Sequence, residues 1–270
     1  MNFKTIQVQK FEAVTRIILN RPDKKNAQNR KMLDELDLAF TNVIEDPETK
    51  VLILSGAGSD FSSGHDISPQ EWKTNSQISW EERYLECKHY YLDKMIQWRN
   101  LPKPIIAQVH GNCIMGGMML AMICDFIICS DDAKFISRSI RWGGSSEQYL
   151  ALPWFTNLPF AKQYIFSGDE IDAYTAFRVG LVNEVVPRKD LDSHTLSIAK
   201  KISVQDSFAL RLAKQSLNAM HDNQGQLNHL KQAFDYWAIS ALRPEMIAEW
   251  DSQVNLSASE KAKKRDEGFS

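Results

Sequence analysis

Phe61-Ser-Ser-Gly-His-Asp66 and Gly111-Asn-Cys-Ile-Met-Gly-Gly117 decide how this chain is read. Each follows a run that predicts a buried strand, Val51-Leu-Ile-Leu54 and Ile105-Ile-Ala-Gln-Val109. Each also places glycine where a loop is expected to meet a helix N-terminus. Amides at such a junction lack an intrahelical acceptor and sit at the positive end of the helix dipole. Two of them aimed at one point make an oxyanion hole, which serves an acyl group whose carbonyl oxygen gains negative charge. A single glycine turn implies nothing of the kind; the pair carries the reading.

Around these loops, strand and helix signals alternate. Ala13–Leu19 is rich in β-branched residues and stops at Asn20-Arg-Pro22, which predicts a strand. Asn29 to Glu45 carries Met32, Leu33, Leu36, Phe40, Val43 and Ile44 at helical spacing. Ser79 to Leu101, with Trp80, Tyr84, Tyr90, Tyr91 and Trp98, reads as a helix ended by Pro102 and Pro104. Met118–Ile123 is apolar on every side, so its helix is expected to be buried. Phe126–Cys129 and Leu181–Val186 read as further strands, and beyond Pro187 the pattern is mostly helical.

Bulk properties narrow the function. The chain has 270 residues, 43% hydrophobic and 24% charged, which is ordinary for a globular protein with a substantial core. A formal net charge of -2 supplies no field to gather nucleic acid or an anionic membrane. Met1–Ile6 lacks the apolar run of a signal peptide, and no stretch approaches the roughly 18 apolar residues of a spanning helix. Cys87, Cys113, Cys124 and Cys129 show no Cys-x-x-Cys spacing, which argues against disulfides and a zinc site and for a reducing cytoplasm. Gly56-Ala-Gly58 lacks the third glycine of a dinucleotide fingerprint.

The order of motifs resembles the crotonase superfamily, the enoyl-CoA hydratase/isomerase fold, over nearly the whole length. The markers are Leu19–Pro22 with Asn26-Ala27, Phe61–Ile67, Pro102–Ala107, Val109-His-Gly111, Gly116-Gly117, Cys124-Asp125, Ser130–Phe135, Ser167-Gly168 and Gly180–Val182. The resemblance implies an α/β spiral of ββα repeats over residues 1–200 and a C-terminal helical region, 201–270, that mediates trimers, often paired into hexamers. It implies a CoA thioester as substrate, no separate cofactor and no metal. The thioester oxygen would be held by the amides of His65 and Gly116, with Gly64 making the turn that points the first one inward.

The departures from the family pattern matter equally. Hydration in the family uses two glutamates, and counting through the ungapped blocks puts Met119 and Ser139 at their places. Neither moves a proton as a glutamate does, and such groups contribute typically 10²–10⁴-fold each. Glu147, eight residues beyond Ser139, matches a functional aspartate of dienoyl-CoA isomerases and aryl-CoA dehalogenases. It is the candidate acid or base; its plain alternative is a cap or an ion pair with Arg141. Ser145 and Ser146 are lesser candidates for orienting water.

The imidazoles of His65 and His89 are open between catalysis and packing, and Cys113 reads as a small buried residue. Lys24 and Lys25 stand where relatives hold the CoA phosphates, and Asp66 and Ile67 where they border adenine. The basic tail, Lys261 to Arg265 with Phe269, resembles a segment reaching a neighbouring protomer's CoA. Three functions follow: an acyl-CoA enzyme of a non-hydratase type (isomerase, decarboxylase, C–C hydrolase or thioesterase), an acyl-CoA-binding protein without turnover, or an atypical hydratase using Glu147.

Overall fold

The computed structural model describes residues 3–68, 70–71, 73–74, 77–253, 255–257, 260–261, 263–264 and 267. Strands β1 (Ile6–Phe11) and β2 (Val14–Leu19) form an antiparallel hairpin whose turn places Glu12 at φ +54°. The expected strand at Ala13–Leu19 is β2. β1 escaped sequence reading because it is an edge strand: Gln7, Gln9 and Lys10 face solvent, so no apolar run marks it.

From β2 the chain enters helix α1 (Arg30–Glu45), whose N-cap Asn29 accepts the Met32 amide at 3.0 Å. The predicted apolar stripe of α1 is buried except at its last position, Ile44, which stays exposed. Strand β3 (Val51–Gly56) follows, then helix α2 (Trp80–Lys88), a π-helical turn at His89–Asp93 and helix α3 (Lys94–Arg99). Ser79 and Glu82 close a capping box at the start of α2. Strands β4 (Ile105–Val109) and β5 (Asn112–Ile114) lead into helix α4 (Gly116–Met122), then β6 (Phe126–Ser130) and β7 (Lys134–Ile136).

The rest of the chain runs through α5 (Leu152–Phe155), α6 (Leu158–Ser167), β8 (Glu170–Asp172), α7 (Ala173–Arg178), β9 (Glu184–Val186) and α8 (Leu191–Ser203). Helices α9 (Ser207–Asn223), α10 (Gln226–Ala241) and α11 (Pro244–Ser252) complete the C-terminal region. The strand expected at Leu181–Val186 is shorter than read. Leu181 and Val182 donate their amides to Ala176, closing the end of α7, so only the last three residues pair with β6.

The main sheet has the order β1-β2-β3-β4-β6-β9, parallel beyond the first hairpin. Strands β2, β3, β4 and β6 are covered on both faces, which explains their apolar runs. Val51, Ile53, Ile106 and Ile128 face Leu191 and Ala199 of α8, whereas Leu52, Leu54, Ile105 and Ala107 face the main core. A second sheet, β5-β7-β8, lies at the exit of β4. The C-terminal helices share the main core through Leu230, Phe234, Trp237, Ala238 and Leu242. Lys214 of α9 turns inward instead, donating to the Lys103 carbonyl at 3.1 Å and the Asp125 carboxylate at 2.9 Å.

Two structural details position the glycine loops. Gly111, at φ +54°, allows a turn where any Cβ would run into the Ser59 carbonyl oxygen. Asn26 is fully buried; its amide donates to the carbonyls of Ala57, Asp60 and Phe61, and its Oδ1 accepts the Arg21 amide. Replacing Asn26 by alanine leaves these buried carbonyls without their donor. The expected cost is about 2–3 kcal/mol, read as a lowered urea midpoint with an unchanged slope.

Candidate active site

The two glycine loops lie side by side as a short parallel ladder. Phe61 donates to His110, Ser62 to Asn112, and Ile114 back to Ser62, at 2.8, 3.2 and 2.9 Å. Ser62 forms a bridge with Cys113, and His65 bridges Gln28 on the other side. This pairing, rather than a helix, orients the first loop. The expected helix start after Phe61–Asp66 is therefore corrected: among the described residues the next helix is α2, at Trp80. The second loop does open a helix, α4, at Gly116.

The ladder brings His65 and Gly116 together. A Cβ built on Gly64 (φ +89°) would stand 3.2 Å from the Gly116 nitrogen. Met115, just before Gly116, adopts φ +44°, a strained value for a side-chain-bearing residue. Its amide is tied to the Ile136 carbonyl of β7 at 2.8 Å, and its carbonyl accepts the Met119 amide at 3.1 Å. Neither the His65 amide nor the Gly116 amide finds an acceptor among the described residues.

Glu147 lies in the loop beyond β7, after a 3-10 turn at Ser139–Trp142. It is 2% exposed, and its Oε1 has no partner. Burial raises its pKa above the ordinary 4.5, opposed by a hydrogen bond from Ser137, the residue after Ile136. Tyr164 is close enough to feel its charge, and donates to the Phe135 carbonyl at 3.1 Å. Glu147 is thus a buried acid in a loop that reaches back to Ser137, next to the strand that anchors the Gly116 loop. No ion pair with Arg141 is found for it; its setting is the interior.

The other expected residues fall into distinct groups. Met119 is fully buried in the core at the start of α4. Ser139 is buried, and its hydroxyl is engaged by the Ser146 carbonyl, which removes it as a free proton carrier. Ser146 in turn donates to the Glu147 carbonyl at 3.1 Å. Cys113 is buried in β5 and its thiol pKa is pushed well up by desolvation, so it is no nucleophile. His89 lies exposed on the π turn.

Lys24 and Lys25 are exposed beside the first loop, with the Lys25 carbonyl accepting the Ser63 amide at 2.8 Å. Asp66 is tied to Arg21 at 2.8 Å. Lys261 buries its chain and donates to the Ile67 carbonyl of its own chain at 3.0 Å, over the Trp250 ring. Of the rest of that expected arm, Lys263 and Lys264 are exposed, and Arg265 and Phe269 lie outside the described residues.

Sequence reading missed what covers the site. Ser145 donates its amide to Ser240 Oγ at 2.8 Å, Arg243 reaches the Gly143 carbonyl at 3.1 Å, and Trp142 stacks on Trp250 at 4.9 Å. Tyr84 of α2 donates to Asp235 at 2.8 Å. The C-terminal helices thus close over the Glu147 loop of their own chain. Also missed was the polar surround of His65, where Gln28, Tyr91 and Arg30 gather.

A ββα spiral with a small second sheet and a helical C-terminal region is the crotonase fold. The chain is an enzyme of the enoyl-CoA hydratase/isomerase family, whose profile matches residues 9–237. It is 33% identical over 224 residues to a crotonyl-CoA hydratase of Syntrophomonas wolfei, covering 81% of this chain and 83% of that one. It is 30% identical over 261 residues to the mouse mitochondrial Delta(3,5)-Delta(2,4)-dienoyl-CoA isomerase, covering 91% and 78%. A crystal structure of an enoyl-CoA hydratase/isomerase from Xanthobacter autotrophicus superposes over 100% of both chains with a TM-score of 0.87 at 29% identity.

The buried groups fix two opposite pH dependences of stability. His65 is held neutral, its pKa lowered from 6.5 to about 3 by burial and by the Arg30 charge. The unfolded chain binds that proton first, so stability falls as pH drops from 6.5 toward 3. Glu147 works the other way: the folded state keeps its proton longer, so stability falls as pH rises above 4.5. Denaturation at a series of pH values is expected to show the first slope flattened in His65→Phe and the second in Glu147→Gln.

Proposed function

We propose that this chain acts on acyl-CoA thioesters by forming an enolate-like intermediate, with the thioester oxygen held by the amides of His65 and Gly116. The single observation that carries this reading is the pair of amides, adjacent and without acceptors, at the end of a strained loop. As a proton leaves the carbon next to the thioester, negative charge develops on that oxygen. Two fixed N–H donors stabilise it without reorganisation, and losing one such donor typically costs about 3–4 kcal/mol of barrier.

Glu147 is the proposed proton carrier. Its raised pKa gives the carboxylate the basicity to take a proton from carbon and the resulting acid the means to return it. Returning it to a different carbon shifts the double bond, with no other reactant consumed. Met119 and Ser139 supply no carboxylate for water activation, which favours such an isomerase, or a related decarboxylation or C–C cleavage, over efficient hydration. Lys24 and Lys25 are placed for the CoA phosphates, and Asp66 and Ile67 for the adenine border.

Assembly belongs to the same proposal. Phe208, Leu212, Leu217 and Met220 of α9 are all exposed, as are Phe166, Tyr174 and Phe177 on α6 and α7. So much exposed apolar surface fits burial between copies of the chain, as a trimer or a pair of trimers. No helix among the described residues is long and apolar enough to cross a membrane.

A second reading, an acyl-CoA-binding protein without turnover, is favoured by the deep burial of Met119 and the engaged Ser139 hydroxyl. Incubation with enoyl-, dienoyl- and 3-oxoacyl-CoA thioesters separates the two. The enzyme reading expects turnover that Glu147→Gln lowers by about 10²-fold or more, with thioester binding retained. Tight binding without product for every compound supports the second reading. Rapid crotonyl-CoA hydration untouched by Glu147→Gln overturns the assignment of Glu147.

A further inference from the structure

Two consecutive residues at the end of β7 hold both halves of the proposed chemistry. The Ile136 carbonyl accepts the Met115 amide at 2.8 Å, which fixes the strained residue before Gly116. The next residue, Ser137, is 2% exposed, and its side chain is hydrogen-bonded to the Glu147 carboxyl. Toward an ionised carboxylate a hydroxyl can only donate. Glu147 Oε1 has no partner, so the bond from Ser137 falls on the other oxygen, Oε2. The acid is held at one oxygen and bare at the other.

Ser137 is itself fixed from behind. Tyr164 of α6 is buried, donates to the Phe135 carbonyl at 3.1 Å and lies 3.3 Å from Met118 Sδ of α4. Its phenol oxygen accepts the Ser137 amide. One phenol therefore clamps the residues on either side of Ile136 and touches the helix that Gly116 opens. The other serine of this stretch, Ser139, is engaged by the Ser146 carbonyl, so Ser137 is the one directed to the acid. Charges about the pair are few. Among the described residues no ionised side chain sets the Glu147 pKa: burial raises it, and the Ser137 hydroxyl and the Glu147 amide lower it. Tyr164 is the titratable neighbour that feels the Glu147 charge, and Cys113 and Arg138 act on Tyr164. Burial holds the Tyr164 phenol neutral while Glu147 titrates.

We infer that Ser137 is a positioning residue for the proposed proton transfer: its hydroxyl holds Glu147 Oε2 and leaves Oε1 as the oxygen that takes and returns the proton. The inference rests on the reading of Glu147 as the proton carrier. In that step a C–H bond of the acyl group breaks, an O–H bond forms on Oε1, and the electron pair moves onto the thioester oxygen. Return of the proton to carbon restores the carboxylate, and no other reactant is consumed. Without the Ser137 donor the two carboxylate oxygens become equivalent, and the charged form loses a hydrogen bond that favours it. Ile136 ties down the Gly116 loop and Ser137 the acid, so the backbone of one strand end sets the two in register.

The test is deuterium uptake from heavy water into butyryl-CoA and crotonyl-CoA on the full-length protein, followed by NMR over a series of pH values. This exchange needs only removal and return of a proton, whatever reaction follows. Its rate is expected to rise with pH as Glu147 ionises. Ser137→Ala removes a donor to the charged form, so the rising limb is expected to move to higher pH by about one unit, with KM unchanged. Ser137→Cys, whose thiol donates weakly, is expected to fall between, and Ser137→Thr, which keeps the hydroxyl, to return the limb to its place. A limb that stays put in Ser137→Ala, or moves as far in Ser137→Thr, overturns the inference while the thioester reading stands. Exchange that is absent, or untouched by Glu147→Gln, overturns the role of Glu147 and this inference with it. Should the alanine variant fail to fold, a crystal structure of the unaltered protein decides. Ser137 Oγ within hydrogen-bond reach of one Glu147 oxygen supports the inference, and beyond reach of both overturns it.

Discussion

Everything at the site depends on the parallel pairing of residues 61–64 with 110–114. These are loop segments, yet they exchange backbone hydrogen bonds as strands do, so their relative register is fixed. Register is what sets two amides next to each other; a slip of one residue would turn one of them away. The pairing is held from outside by Asn26, which binds three carbonyls of the first loop, and by the Asp60 carboxylate, which accepts the Asn112 amide at 2.9 Å. Met115 stores the residual strain. Its φ of +44° persists because both its amide and its carbonyl are tied down.

Burial then sorts the polar groups by task. Burial would raise the carboxyl pKa of Asp66 and Asp60, but hydrogen bonds outweigh it and hold both below the usual value, Asp66 from Arg21 and Ser68 and Asp60 from Ser59 and Asn112; both are structural anchors. Glu147 differs in having one oxygen unpartnered in the interior, which shifts its pKa upward. An unpaired buried carboxyl costs stability, and such a cost is commonly retained where chemistry requires it. His65 Nε2 and Gln28 Oε1 are likewise buried without a partner among the described residues.

The C-terminal helices have two faces with opposite roles. Toward their own chain, α10 and α11 seal the Glu147 loop through Trp237, Ser240, Arg243 and Trp250. Away from it, α9 presents apolar side chains to solvent and turns a lysine inward to Asp125. That inverts the usual pattern of a helix packed on a core by its apolar side. Closure of the Glu147 loop is thus supplied by the same stretch of chain that carries this exposed apolar surface.

Local chemistry was legible in the sequence wherever it repeats with a period or sits in a short motif. The α1 stripe, the doubly buried strands and the glycine positions could be read directly, because spacing alone determines which faces are apolar and where the backbone must turn. The burial of Met119 and Cys113 followed from the same signals. What sequence could not supply was anything depending on residues distant along the chain. The first loop was expected to lean on a helix and instead leans on another loop some fifty residues away. Edge strand β1 left no apolar mark, and the gathering of Gln28, Tyr91 and Arg30 around His65 and the lid from α10 and α11 exist only once the spiral has closed. Periodicity belongs to neighbours in sequence, whereas a site belongs to neighbours in space, and only the tertiary structure decides who those are.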